Sequence, residues 1–189
     1  MCASNFASPR AYAFVLALAC TAARADDVAA LRPIASLKDA IAARLLLADD
    51  VARYKWNRGL PVADAAREAA VLDRTTAQAV ELGIPGDYAR RVVAAQIAAS
   101  RLRQQELTDE WRDANRPAFS DVPDLATAQR PAIDRATATL LTRLRAAMCG
   151  LDDDARVALT SPPRSFDRSA RAWATAVDPL WPPPAECRD

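Results

Sequence analysis

The sequence predicts an all-α fold, a single-domain bundle of about six helices. Alanine is abundant and glycine scarce, with 4 glycines in 189 residues. No run of alternating β-branched residues marks a strand. Hydrophobic residues make up 51% of the chain, enough to bury a core.

Residues 1–25 read as an export signal rather than as part of the fold. Arg10 precedes the apolar run Ala11–Ala19, which is too short to span a bilayer with ease. Ala23-Arg24-Ala25 fits a small-x-small cleavage rule, which makes Asp26 the mature N-terminus; an uncleaved anchor is the alternative. No other stretch is apolar and long enough to cross a membrane. The mature domain is then residues 26–189.

The first helix is predicted over about Ile34–Asn57, after Pro33, with a stop near Gly59 and Pro61. The second runs from about Val62 to Leu82 and ends at Gly83. Pro85-Gly86-Asp87 is a turn that starts the third, which Arg116-Pro117 breaks near Asn115. The fourth covers about Asp124–Met148, with Pro131 either in its first turn or kinking it. Asp152–Leu159 and Ser165–Val177 are shorter helices, followed by a Pro-rich tail.

Cleavage of the signal removes two arginines, no acid, and both Cys2 and Cys20. The mature net charge is then about −1, which argues against nucleic acid as a partner. Cys149 and Cys187 are the two cysteines left, and an even pair in an exported chain predicts a disulfide. The bridge would tie the tail Trp181-Pro182-Pro183-Pro184 to the body.

The absence of histidine excludes a Ser-His-Asp triad, an imidazole base and a His-ligated metal. Gly59, Gly83, Gly86 and Gly150 are not spaced as a phosphate-binding loop or a dinucleotide fingerprint. Chemistry must run on Arg, Lys, carboxylates, amides and hydroxyls.

Several polar residues interrupt the inward stripes. The first helix reads Leu37, Ile41, Arg44, Ala48, Val51, Lys55 in steps of three and four. Arg44 and Lys55 thus lie within roughly 20° of one azimuth. The third reads Val93, Ile97, Ser100, Gln104, Leu107, Trp111, broken by Ser100 and Gln104. Asp64, Arg67, Glu68 and Val71 occupy adjoining lines of the second helix. Arg130, Ile133, Thr137, Leu140, Leu144 form a stripe of the fourth. A buried cation needs a partner. Either these cations pair with carboxylates of neighbouring helices, with Lys55 reaching water, or they line one cavity built for a small anion. Arginine suits a carboxylate because its fork is bidentate and permanently charged.

The stretches Ala42-Ala43-Arg44, Tyr54-Lys55-Trp56, Leu60–Glu68, Pro85–Tyr88, Gln96–Ser100, Gln104, Trp111 and Arg130–Asp134 together resemble the all-helical AroQ type of chorismate mutase. The export signal and the C-terminal cysteine pair resemble its secreted gamma subclass. That resemblance covers about residues 35–140. It implies three long helices forming the active-site core, a pericyclic rearrangement of chorismate to prephenate, no cofactor, no metal, and a homodimer located in the periplasm or secreted. It also implies roles. Arg44 and Arg130 each clamp a substrate carboxylate, the second from the same chain rather than from a partner. Lys55 touches a carboxylate and the ether oxygen, and Gln104 is the second donor to that oxygen. Arg67 supports the site, Glu68 accepts from the ring hydroxyl, Ser100 contacts a carboxylate, and Asp64 stands behind them. The rival readings are an isochorismate pyruvate lyase on the same scaffold and an exported helical binding module without catalysis.

Overall fold

The computed structural model describes the backbone of residues 10–187 and the side chains of residues 32–187. Residues 1–9 and the side chains of 10–31, which hold most of the expected signal, lie outside what is described. The chain divides into two compact units, Met1–Arg32 and Pro33–Asp189. The second carries the core and the site.

The described residues form six α-helices and no strand: α1 Arg10–Arg58, α2 Ala65–Glu81, α3 Gly86–Asp113, α4 Arg130–Ala147, α5 Asp153–Thr160 and α6 Ala170–Val177. A single π-helical turn, Leu125–Gln129, leads into α4. Two sequence expectations need correction. Pro33 lies inside α1 rather than before it. A proline removes its own N–H but leaves its carbonyl available, so it interrupts a helix without always ending it. Ser165–Val177 is not one helix either. A 3₁₀ turn, Arg164–Phe166, is followed by a break, and Ser169 caps α6 by accepting from the Ala172 N–H at 3.0 Å.

Within Pro33–Asp189, α3 is the central element, packed against α2 and α6. The core joins Leu37, Ile41 and Leu45 of α1 to Val92 and Ala99 of α3, Leu140, Leu141 and Leu144 of α4, and Trp173 of α6. Buried polar ends of the aromatics are satisfied. Trp173 Nε1 donates to the Leu159 carbonyl at 2.7 Å, Tyr88 Oη to Leu180 at 3.2 Å, and Trp181 Nε1 to Leu151 at 3.0 Å. The Tyr88 bond fastens the C-terminal third onto α3, and the two tryptophan bonds hold that third together. Cys149 and Cys187 are joined in a disulfide across 38 residues, which closes the Pro-rich tail against the end of α4.

A smaller cluster sits at the end of α1. Trp56 meets Trp111 edge-on, with ring centroids 5.8 Å apart, and Trp111 meets Phe119 at 4.6 Å. Asn57 holds the loop after α3 through two bonds with Phe119, Nδ2 to its carbonyl and its N–H to Oδ1, both 2.8 Å.

Candidate active site

The site begins where α1 ends. Gly59 takes a left-handed φ of +61°, which only glycine adopts without strain. Its N–H reaches the Trp56 carbonyl and the Leu60 N–H the Lys55 carbonyl, a six-to-one closure that folds the chain back over the helix end. The segment Leu60–Asp64 therefore returns across Lys55, and Lys55 Nζ donates to the Val62 carbonyl at 2.6 Å. Burial lowers the Lys55 pKa, Asp64 and Glu68 raise it, and Arg67 lowers it again, for a net value below the usual 10.5.

Asp64 caps α2. Its side chain accepts from the Arg67 N–H at 3.1 Å, while Glu68 Oε1 accepts from the Asp64 N–H at 3.4 Å. This reciprocal cap fixes the first turn of α2, from which Arg67 and Glu68 border the hollow. Asp124 caps the π-helical turn, accepting from Ala126 and Thr127 N–H at 2.9 Å. Gln129 Nε2 pins that turn by donating to the Pro123 and Asp50 carbonyls. Arg130 then opens α4 with Pro131 in its first turn, the first of the two placements the sequence left open.

These elements enclose one cavity of about 470 Å³. Arg44 and Lys55 from α1, Asp64, Arg67 and Glu68 from the start of α2, Ser100 and Gln104 from α3, and Arg130 from α4 all line it. The three long helices foreseen as its core are thus joined by α4 and by the Leu60–Asp64 segment.

Arg44 is the sharpest observation. It is 7% exposed, and no carboxylate among the described residues lies within ion-pair distance. Its Nη1 donates to the Gln96 carbonyl of α3 at 2.8 Å and its Nε to Thr137 Oγ1 of α4 at 3.3 Å. Two neutral acceptors orient the fork without discharging it, and burial lowers its pKa to about 10. Arg130 has a buried Nε without a hydrogen-bond partner. Pairing of Arg44 with a neighbouring carboxylate, one of the two readings open from sequence, is not what the structure contains. Gln104 Nε2 donates within its own helix, to Ser100 O at 3.2 Å and Oγ at 3.4 Å, and its buried Oε1 has no partner.

Sequence periodicity missed three features. Arg101, one position off the α3 stripe, lines the cavity and pairs with Glu68 Oε2 at 3.0 Å. Thr137 lies on the α4 stripe but was not singled out as the contact that aims Arg44. A buried ion pair lies further along α1 and α3: Arg103 Nε and Nη2 meet the two Asp49 oxygens at 2.9 and 3.2 Å, and the exposed Arg168 joins through Nη1 to Asp49 Oδ2 at 3.0 Å. Asp49 falls between the readings of the α1 stripe, and only the fold brings Arg168 to it. Among the described residues, no group of three or more acidic or cysteine side chains is placed to hold a metal ion. None of their helices is long and apolar enough to cross a membrane.

An all-α unit in which one hollow is lined by two arginines, a lysine and an amide, with the buried Arg44 charge not ion-paired, has the chemistry to take a small organic anion. Comparison with known proteins is more specific. The sequence profile for chorismate mutase type II matches residues 35–105. A secreted chorismate mutase of Mycobacterium tuberculosis is 35% identical over 122 residues, 65% of this chain and 59% of its own length. A secreted chorismate mutase of Mycolicibacterium smegmatis is 31% identical over 163 residues, 81% of this chain and 88% of its own. The crystal structure of a chorismate mutase from Burkholderia thailandensis superposes with a TM-score of 0.67 at 33% identity, covering 78% of this chain and 98% of that one. The chain belongs to the type II chorismate mutase family.

Proposed function

We propose that the cavity binds chorismate and converts it to prephenate, an intramolecular rearrangement in which an ether C–O bond breaks as a C–C bond forms. The bonds exchange in one concerted cyclic shift of electrons and no proton moves, so the reaction asks for no nucleophile, metal or proton carrier. Two demands are left: hold the flexible enolpyruvyl arm over the ring, and stabilise negative charge growing on the ether oxygen.

The residues meet those demands in the following assignment. Arg44 and Arg130 each take one substrate carboxylate. Lys55 donates to a carboxylate and to the ether oxygen, and Gln104 Nε2 is the second donor to that oxygen. Ser100 contacts a carboxylate, Glu68 accepts from the ring hydroxyl, Arg67 supports the mouth, and Asp64 fixes the turn that carries Arg67 and Glu68. The observation that carries the reading is the buried, carboxylate-free guanidinium of Arg44 facing the same hollow as Lys55, Gln104 and Arg130. Low-dielectric surroundings strengthen both the clamp and the ether-oxygen contacts.

The test is loss of chorismate absorbance on adding protein that starts at Asp26, with product analysis on chorismate and on isochorismate in parallel. Prephenate from the first substrate supports the reading. Pyruvate release from the second assigns a lyase, and inertness toward both assigns a binding module. We also take residues 1–25 as a cleaved export signal and the protein as periplasmic or secreted, in keeping with relatives named secreted chorismate mutases. N-terminal sequencing of exported protein tests the first point, and sedimentation tests the homodimer that the resemblance to the secreted subclass implies.

A further inference from the structure

Arg101 has no part in the assignment above, yet it lines the cavity beside Ser100 and pairs with Glu68 at 3.0 Å. The pair is half-sheltered, with side-chain exposures of 42% for Arg101 and 26% for Glu68. Glu68 is committed at both oxygens, Oε1 to the Asp64 N–H and Oε2 to Arg101. A carboxylate in this place faces a difficulty. Its proposed task is to accept from one hydroxyl of a guest that carries two negative charges, and an uncompensated Glu68 would repel that guest. We infer that Arg101 is a positioning residue that cancels the charge of Glu68 and fixes which of its oxygens faces the ring hydroxyl, so that an acid can stand at the mouth of a site built for a dianion.

This inference rests on the assignment of the cavity to chorismate. It makes a particular kinetic demand. The substrate carries two negative charges in the ground state and in the transition state alike, so repulsion from an unmasked Glu68 opposes both equally. A uniform penalty of this kind appears in KM and leaves kcat nearly untouched. Water leaves the hollow as substrate enters, so the pair tightens at the moment it is needed. The two side chains come from different helices, α2 and α3, so the pair also holds the mouth of the cavity at a fixed width.

The experiment measures kcat and KM for chorismate in the full mature chain and in Arg101→Ala, Arg101→Lys, Glu68→Gln and the Arg101→Ala/Glu68→Gln double variant, with helicity checked by circular dichroism. Arg101→Ala is expected to raise KM about tenfold with kcat within about threefold, and Arg101→Lys to recover most of the loss. In the Glu68→Gln background, removing Arg101 is expected to change KM by less than about twofold, because the charge it masks is gone. An Arg101→Ala enzyme with unchanged KM overturns the inference. So does an equal KM penalty in both backgrounds, which would place Arg101 on the substrate itself. Wild-type protein that leaves chorismate untouched overturns the functional assignment instead, and that result is read before any variant is compared.

Discussion

Two arginine clusters sit within two helical turns of each other on the same pair of helices, and they are built in opposite ways. Around Asp49, a carboxylate of α1 receives Arg103 of α3 through two bonds and Arg168 through a third. Around Arg44, five residues earlier on α1, the guanidinium meets only a carbonyl and a hydroxyl. Both are buried. The first has its counter-charge inside the protein and ties α1 and α3 to the chain just before α6. The second leaves part of its fork unspent and points it into the cavity. A buried cation with a partner is architecture, whereas a buried cation held by neutral acceptors alone keeps its charge free for the anion proposed to bind there.

The comparison breaks most visibly at Asp49. Asp49→Ala strands Arg103 without its anion, and we expect a loss of about 3–5 kcal/mol of folding stability in chemical denaturation. Lys55→Ala probes the opposite cluster. It should cost about 3–4 kcal/mol of transition-state stabilisation, read from kcat/KM, with helicity retained. Near-normal turnover in a folded variant would remove Lys55 from the reaction.

Arg44→Lys and Arg44→Met sharpen the contrast between the two arginine sites. A point charge cannot replace a planar fork, so the lysine variant should lose at least tenfold in kcat/KM. The methionine variant should lose activity and yet keep its stability within about 1 kcal/mol, because no ion pair is broken. A large fall in its melting temperature would move Arg44 to the structural side of the comparison.

The smallest effect is with pH. Gln104 donates from an amide, which does not titrate, so kcat/KM should stay flat from mildly acidic to mildly alkaline conditions. A steep loss just above neutrality would contradict this. Above that plateau, burial lets Lys55 lose its proton below the usual lysine range, and lowers Arg44 to about 10. Activity needs both protonated, so it falls in the alkaline range. The sign for stability is opposite. Each group has a folded pKa below its unfolded one, so the unfolded chain binds more protons there and these two groups favour folding progressively as pH rises through that interval.

The residues legible in advance were those that broke a period. Arg44, Lys55, Ser100 and Gln104 stand where helical spacing calls for apolar side chains, and the fold turned those anomalies inward. Helix ends were legible where Gly59 and Gly83 take left-handed conformations. Arg101 was not legible, because one position off a stripe reads as surface until α2 is seen to lie alongside. The Asp49 network was hidden for a related reason, since its third member is 119 residues away from the first in the chain. The π-helical turn before Arg130 was read as ordinary helix, because no spacing rule separates one inserted residue from a regular start.

Arg130 sits in the same cavity as Arg44 of its own chain. Under the proposed assignment, each copy therefore supplies both carboxylate-clamping arginines itself. Under the proposed export, a catalyst assembled from two half-sites would fade as its copies were diluted apart. Specific activity measured down a dilution series should hold constant well below the concentration at which any pairing of copies is lost.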